Sequence, residues 1–148
     1  MNDTEKNIET LAAALRAAAL LITYVPFDGE PDVSAFLARY GITTERTAIP
    51  PRQDISPADM AEKFRATYET KPVCILIPGQ AFDASGTRHG RGGGWYDRFL
   101  AAVPREWLRI GVLNENQLSA EPLTRESWDE PMDWLLLSEA DKWSSLKV

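Results

Sequence analysis

The segment at residues 73–78 constrains the fold of this chain more than any other feature of its sequence. It is apolar throughout and β-branched in part, and Pro78-Gly79 closes it. A strand with apolar side chains on both faces is typical of a parallel sheet that helices cover on both sides. The segment therefore predicts a central strand of an α/β domain.

Alternating helices and strands are predicted over the rest of the chain. Pro31 suits the first position of a helix, and Ser56 suits an N-cap. The patterns predict helices at residues 5–17, 31–40, 57–69 and 95–103, and further strands at 20–25, 44–49, 109–113 and 132–137, the last of the chain. Such alternation predicts a three-layer α/β/α fold with a mostly parallel central sheet, and 148 residues predict a single domain over 1–148.

Net charge and composition exclude several classes of protein. The formal net charge of −6 argues against general nucleic-acid binding, because phosphate backbones are held by basic surfaces. The N-terminus lacks the pattern of a signal peptide, and no run approaches the roughly 20 apolar residues of a membrane span, so a cytoplasmic protein without membrane contact is expected. A single cysteine, Cys74, and a single histidine, His89, exclude an internal disulfide and a Cys/His zinc site. Cys74 is predicted to be a buried thiol.

Glycine and arginine dominate the stretch at residues 86–98, which follows the central strand and precedes a predicted helix. Four of its glycines, at position 90 and positions 92–94, let the backbone take positive φ and approach an anion closely. Arg88 and Arg91 can donate charged hydrogen bonds to phosphoryl oxygens, and the carboxyl end of such a strand is where ligands bind. The stretch predicts a phosphate site; the alternative is a flexible glycine loop.

Asp97 falls one turn into the helix that follows these glycines. Mg²⁺ commonly takes only one or two protein carboxylates beside substrate phosphates, so Asp97 is a candidate magnesium ligand. An aspartate in a first helical turn can equally serve the helix dipole alone.

The chain resembles the 5-formyltetrahydrofolate cyclo-ligase family, also called methenyltetrahydrofolate synthetase, in two neighbouring stretches. These are residues 77–83, Ile-Pro-Gly-Gln-Ala-Phe-Asp, and residues 86–100, Gly-Thr-Arg-His-Gly-Arg-Gly-Gly-Gly-Trp-Tyr-Asp-Arg-Phe-Leu. Weaker similarities flank them at residues 24–30 and 128–133. The resemblance covers most of residues 15–139.

The resemblance implies an enzyme that uses ATP and Mg²⁺ to convert a reduced folate, 5-formyltetrahydrofolate, to 5,10-methenyltetrahydrofolate. ATP phosphorylates the formyl oxygen, the neighbouring ring nitrogen attacks, and phosphate leaves. It also implies that the nucleotide binds at Arg88, His89, Gly90, Arg91, Gly92, Gly93, Gly94, Trp95 and Tyr96, with Arg88, Arg91 and Tyr96 as catalytic residues. Asp97 and Asp129 would hold Mg²⁺, and the folate would lie against Val25, Glu30 and Trp95. Core packing is the alternative role of Val25 and Trp95.

Two departures from the family pattern are expected to matter. Family members begin with an extra helix whose Lys and Arg contact the nucleotide, and this chain starts too late to contain it. They also carry a longer segment with a Glu-Pro pair where residues 50–72 stand here. Loss of such contacts predicts weaker nucleotide binding, by on the order of 2–3 kcal/mol per charged hydrogen bond.

Two alternatives to an active enzyme therefore stay open. One is a weak or inactive paralogue that binds nucleotide or folate. The other is an interaction domain that keeps only the fold and presents Trp128, Trp134 and Trp143 to a partner, although these side chains equally suit a core and its rim. A monomer and a homodimer are both compatible with the sequence.

Overall fold

The structure is a computed structural model that describes residues 3–27, 29–43, 45–50 and 54–148. Over this part of the chain the α-helices are α1 (Asp3–Ala17), α2 (Val33–Arg39), α3 (Pro57–Tyr68) and α4 (Trp95–Ala101). The strands are β1 (Leu20–Ile22), β2 (Thr47–Ala48), β3 (Val73–Ile77), β4 (Ala81–Phe82), β5 (Arg88–His89), β6 (Leu108–Asn114), β7 (Trp134–Glu139) and β8 (Lys142–Lys147). None of the described helices is long and apolar enough to cross a membrane.

The main sheet of the described chain has six strands, in the order β2-β1-β3-β6-β7-β8. Every neighbouring pair is parallel except β7 and β8. β3 lies between β1 and β6 and is buried at all five positions. The predicted central position of this strand is confirmed, because its two apolar faces need cover on both sides of the sheet.

Helices cover both faces of this sheet. Cys74 and Leu76 of β3 lie in a core with α1 and α2, whereas Ile75 and Ile77 lie in a core with α3 and α4. Successive side chains of a strand face opposite sides, so one apolar strand supplies both cores. The three-layer α/β/α prediction is confirmed. The Cys74 thiol is buried as predicted, and burial raises its pKa to about 12.

The last strand is β8, and the prediction that residues 132–137 form the last strand was wrong. That strand begins at Trp134, and the chain then turns at Ala140, whose φ is 53°, to bring β8 back antiparallel. No local pattern predicted this hairpin, because its turn lacks glycine and β8 contains no β-branched residue. β8 is held by packing, since Trp143 and Leu146 contact the two different cores.

The prediction of one polar loop up to Gly94 was also wrong, because β4 and β5 form an antiparallel hairpin within it. The Asp83 carboxylate organises the turn by accepting hydrogen bonds from the N–H groups of Ser85, Thr87 and Leu123. Burial opposes ionisation of this group, but the hydrogen bonds hold the pKa of Asp83 below its ordinary value. The hairpin therefore gives Arg88, the first residue of β5, a fixed place above the sheet.

Capping residues decide where two of the helices begin. α2 begins at Val33 and not at Pro31, because Asp32 accepts a hydrogen bond from the Ser34 N–H at 3.0 Å and acts as the N-cap. Ser56 caps α3 as predicted, by accepting a hydrogen bond from the Asp59 N–H at 3.1 Å.

Other elements are shorter than predicted. The strand predicted at residues 44–49 is reduced to the two residues of β2, with residue 44 outside the described part of the chain. The helix predicted at residues 95–103 ends at Ala101. The strand predicted at residues 20–25 ends at Ile22, after which the Tyr24 hydroxyl donates a hydrogen bond to the Pro31 carbonyl at 2.8 Å. This contact ties the segment after β1 to the start of α2.

Candidate functional site

A cavity of about 710 Å³ opens at the carboxyl end of the parallel strands. Pro78 and Gly79, which follow β3, form part of its wall, and so do Phe27 and Glu30, which follow β1. The β4–β5 hairpin and the start of α4 form another part. In open α/β sheets ligands bind at this edge, and the volume falls within the range of about 300–1,000 Å³ that is usual for small-molecule sites.

The cavity brings most of the predicted site residues together. Its lining includes Glu30, Arg88, His89, Gly90, Arg91, Gly92, Gly94, Trp95, Tyr96, Asp97 and Asp129. Val25 and Gly93 are outside its lining, and the Val25 side chain is 67% exposed. The contact of Val25 with a bound folate therefore stays a prediction that the lining of this cavity does not support. The ligand contacts of the other residues stay predictions.

Two glycines of residues 86–94, which we call the glycine loop, have identifiable steric roles. Gly94 is the N-cap of α4 with a φ of 64°, a left-handed conformation that residues with a Cβ rarely adopt. A Cβ at Gly90 would lie 2.9 Å from Nη2 of Arg88, so the absence of a side chain leaves room for this guanidinium. The glycines therefore allow α4 to start and Arg88 to lie close to the backbone.

Arg88 is held in a defined orientation. Its Nε donates a hydrogen bond to the Pro78 carbonyl at 2.6 Å, and its guanidinium lies 5.0 Å from the centre of the Tyr96 ring. Tyr96 is itself buried in the core that contains α3 and α4. A cation whose position is fixed before the ligand arrives can stabilise phosphoryl charge without losing side-chain freedom on binding.

Arg91 links the glycine loop to the segment that follows β1. Its Nε lies 3.4 Å from Oε2 of Glu30, and its guanidinium lies 4.9 Å from the centre of the Phe27 ring. The Glu30 side chain is only 5% exposed and also accepts a hydrogen bond from the Phe27 N–H at 2.8 Å. A residue predicted to bind the nucleotide and a residue predicted to bind the folate therefore contact each other.

Asp97 and Asp129 line the same cavity, Asp97 from α4 and Asp129 from the segment before β7. Oδ1 of Asp97 accepts a hydrogen bond from the Glu130 N–H at 3.1 Å, and Oδ2 of Asp129 accepts one from the Glu126 N–H at 2.8 Å. Burial raises the pKa of Asp97 above its ordinary value, and repulsion from Asp129 adds to the effect. The charges of the two carboxylates therefore interact.

Mg²⁺ fits this pair of carboxylates if phosphate oxygens complete its coordination. The ion prefers oxygen ligands and commonly combines one or two carboxylates with waters and substrate phosphates. Over the described residues there is no group of three or more His, Cys, Asp or Glu side chains that could hold a metal by itself. A cation between Asp97 and Asp129 would also offset the repulsion that raises the Asp97 pKa.

Asp97→Asn is expected to raise the melting temperature at neutral pH. Because the folded state raises the pKa of Asp97, the ionised carboxylate is less favourable in the fold than in the unfolded chain. This cost is present at neutral pH and disappears as the pH falls below the ordinary pKa of an aspartate. Asparagine carries no charge, and its Oδ1 can still accept the hydrogen bond from the Glu130 N–H.

Thermal unfolding at neutral and at acid pH checks this prediction. The matched control is Asp141→Asn in the exposed turn between β7 and β8, which is expected to change nothing. A lower melting temperature of Asp97→Asn at neutral pH, or an equal gain at both pH values, contradicts the stated cause.

His89 and Trp95 serve the wall of the cavity and the fold at the same time. Nε2 of His89 donates to the Thr124 carbonyl at 2.7 Å, which ties β5 to a distant segment. Nε1 of Trp95 donates to the Ile55 carbonyl at 3.4 Å, and its ring stacks on Phe99 with 5.2 Å between the centroids. Core packing and exposure to the cavity, which were alternatives for Trp95 in the sequence, therefore occur together.

The remaining lining residues were missed by the sequence prediction: Phe27, Pro78, Gly79, Gln80 and Trp128. A signal existed for the middle three, because they directly follow the central strand, at the edge where ligands bind. Trp128 is 67% exposed and precedes Asp129 in the chain. Its sequence context suggested a protein interface or the rim of a core, and only the fold shows that it borders the cavity.

Comparison with known proteins gives a family and several relatives. The model of the 5-formyltetrahydrofolate cyclo-ligase family matches residues 59–138. A 5-formyltetrahydrofolate cyclo-ligase of Mycoplasma genitalium is 33% identical over 63 residues, which are 43% of this chain and 37% of that protein. The match thus spans little more than a third of the length of this relative.

Two solved structures have a similar fold. A 5,10-methenyltetrahydrofolate synthetase from Mycoplasma pneumoniae superposes with a TM-score of 0.58 and 22% identity, over 90% of this chain and 83% of that one. The synthetase from Aquifex aeolicus gives a TM-score of 0.55 and 22% identity, over 95% of this chain and 81% of that one. The family match spans more than half of the sequence and includes β3, the glycine loop, α4 and β6. The chain belongs to the 5-formyltetrahydrofolate cyclo-ligase family.

Proposed function

We propose that the chain converts 5-formyltetrahydrofolate to 5,10-methenyltetrahydrofolate in a reaction that consumes ATP and requires Mg²⁺. The observation that carries this proposal is the arrangement of Arg88, which is held against the Tyr96 ring at the cavity wall and close enough to Asp97 to influence its pKa. Phosphoryl transfer depends mainly on positioning and on charge stabilisation, which a fixed guanidinium and a cation held by the two carboxylates could supply. Membership of the cyclo-ligase family supports the same reaction. We expect this reaction in the cytoplasm.

Arg88 and Arg91 stabilise the phosphoryl group as it passes from ATP to the formyl oxygen. Each guanidinium can donate two parallel hydrogen bonds to phosphoryl oxygens. Mg²⁺ held by Asp97 and Asp129 supplies further positive charge to the phosphates when it is bound. Tyr96 acts through Arg88, because its ring supports the guanidinium from within the core. The neighbouring ring nitrogen of the folate then attacks the activated formyl carbon, and phosphate leaves with the former formyl oxygen.

The reduced folate occupies the side of the cavity that the segment after β1 forms. Glu30 can accept hydrogen bonds from the N–H groups of the pterin. Phe27, which is 60% exposed, and Trp95 offer aromatic faces to a flat ring in the same cavity. This assignment keeps the folate next to Arg91, which contacts both Glu30 and Phe27.

The purified protein is expected to form 5,10-methenyltetrahydrofolate from 5-formyltetrahydrofolate only when ATP and Mg²⁺ are both present. The absorbance of the methenyl product measures the rate, and omission of either ATP or Mg²⁺ is the control. If no product forms even at high enzyme concentration, the proposed catalytic activity is contradicted. ATP binding by calorimetry without turnover then selects the inactive paralogue. If neither ATP nor reduced folate raises the melting temperature, the interaction domain is the better account.

Glu30→Gln is expected to raise the KM for the folate by about 10- to 100-fold, because a hydrogen bond to a charged group contributes about 1.5–3 kcal/mol. The KM for ATP is expected to stay equal or to fall, since Arg91 loses a charged partner and can turn to the phosphates. Steady-state kinetics with each substrate varied in turn measure both constants. Glu62→Gln, on the exposed face of α3, is the matched control. An equal rise of both KM values means that Glu30 does not discriminate between the two substrates, which contradicts its assignment.

A further inference from the structure

One arginine of the central sheet is almost fully buried. Arg109 lies in β6, and only 1% of the residue is exposed. Burial disfavours its charge and lowers its pKa, and repulsion from Arg105 adds to the effect. Charged side chains are almost never fully buried unless they are paired, so the partners of Arg109 indicate what its burial achieves.

The guanidinium of Arg109 joins two elements that are distant in sequence. Nη1 donates to Oε2 of Glu130 at 3.1 Å, and Nη2 donates to the Leu100 carbonyl at 3.0 Å. Leu100 lies in the last turn of α4, and Glu130 belongs to residues 126–133, which we call the closing segment. The backbone adds a contact of its own, because the Asp133 N–H donates to the Arg109 carbonyl at 2.7 Å. Arg109 therefore fixes the closing segment against the end of α4.

The same segment holds the beginning of α4. The Glu130 N–H donates to Oδ1 of Asp97 at 3.1 Å, and Asp97 lies in the first turn of the helix. Contacts thus run from the Leu100 carbonyl through Arg109 to the Glu130 side chain, and from the Glu130 backbone to Asp97. Asp129 directly precedes Glu130, so the backbone of the closing segment connects this second candidate metal ligand to the same contacts.

We propose that Arg109 is a positioning residue for the divalent-cation site formed by Asp97 and Asp129. It is not part of the cavity lining and acts through Glu130, whose backbone binds one carboxylate and whose neighbour carries the other. The inference rests on the proposed function, because the cation is bound together with ATP.

A buried ion pair such as this one need not stabilise the fold. Replacing a buried ion pair by apolar residues of similar volume is often neutral or stabilising, and Nε of Arg109 has no hydrogen-bond partner among the described residues. The ion pair does connect the segment that carries Asp129 to α4, the helix that carries Asp97. Groups that orient metal ligands without touching the metal commonly change its affinity by about 10- to 100-fold when they are replaced.

The test replaces both members of the pair, Arg109→Met together with Glu130→Met, so that no buried charge is left without a partner. Thermal unfolding establishes that the variant folds. Calorimetry measures ATP affinity with and without Mg²⁺, and electron paramagnetic resonance measures Mn²⁺ binding in the presence of ATP. We expect ATP affinity without metal to stay within about twofold of the parent. The gain from Mg²⁺, meaning the increase in ATP affinity that Mg²⁺ causes, and the affinity for Mn²⁺ are expected to fall by about 10-fold or more.

Arg16→Ala is the matched control, because it removes another arginine–carboxylate pair, that with Glu9 on α1, which contacts neither Asp97 nor the closing segment. It is expected to leave the gain from Mg²⁺ unchanged. If the double variant does not fold, Arg109→Lys carries the test, since it keeps a cation beside Glu130 but cannot bind Glu130 and the Leu100 carbonyl with one planar group. An undiminished gain from Mg²⁺ in a folded variant overturns the role of Arg109 alone. A parent protein without any gain from Mg²⁺ overturns both this role and the magnesium dependence of the proposed function.

Discussion

Replacing Arg88 with alanine is expected to lower kcat/KM for ATP by about 100- to 10,000-fold. Arg88 is placed to bind the transferred phosphoryl group with two parallel hydrogen bonds, and each such bond to a charged group contributes about 1.5–3 kcal/mol. At 1.36 kcal/mol for a tenfold change in rate, losing both gives a deficit of about this size. The loss should appear in kcat as well as in KM, because the charge of the phosphoryl group is most dispersed in the transition state.

Two further variants separate the position of Arg88 from its charge. Arg88→Lys keeps a cation but cannot form two parallel hydrogen bonds, so an intermediate rate is expected. Arg98→Ala removes an exposed guanidinium of α4 that does not line the cavity, and it should leave the rate within about twofold. Equal activity of Arg88→Ala and Arg98→Ala would falsify the assignment of Arg88 to the phosphoryl group.

Gly111→Ala is expected to lower the free energy of unfolding by about 2–3 kcal/mol, because it overpacks a rigid core. A Cβ at this position would lie 2.5 Å from Cε1 of Phe82 and 3.1 Å from Cδ2 of Leu135, and both side chains are fully buried. Phe82 is also the hairpin partner of Arg88. The added methyl group should therefore lower activity beyond its effect on stability, since it pushes the hairpin that carries Arg88.

Urea-induced unfolding and the rate at a temperature where the variant is folded measure the two effects. Phe82→Leu combined with Gly111→Ala frees the space that the new methyl group needs, and it should recover part of the lost stability. A Gly111→Ala protein as stable as the parent would show that the sheet can move away from Phe82, and the expected link to the hairpin would then be lost.

Local patterns in the sequence were sufficient for most of the sheet and its helices. The apolar run of β3 predicted a strand with two covered faces, and Ser56 marked the start of α3. β8 could not be found in this way, because its stability comes from pairing with β7 and from Trp143 and Leu146, whose partners are distant in sequence. The β4–β5 hairpin was missed for a related reason: each strand has only two residues, and Asp83 organises their turn through side-chain hydrogen bonds.

In the candidate site too, contacts between residues close in sequence could be predicted, whereas contacts between distant residues could not. The glycine loop and its arginines are contiguous, so their joint place at the cavity could be predicted from the sequence and the position of β3. The contact between Arg91 and Glu30 spans 61 positions, and no local pattern announces it. Trp128 and Arg109 were missed because an exposed tryptophan and an arginine in a strand acquire meaning only from the residues that the fold brings to them.

The hydrogen bond from Glu130 to Asp97 joins parts of the chain that lie 33 positions apart. For protein engineering, this means that the glycine loop alone is not expected to keep its geometry in another protein. A graft of residues 86–100 into a foreign scaffold would carry the guanidinium groups of Arg88 and Arg91. It would leave Asp97 without the Glu130 N–H and the Leu100 carbonyl without Arg109. The shortest stretch of chain that keeps both contacts runs from β3 to β7, and nearly all of it lies within the family match at residues 59–138.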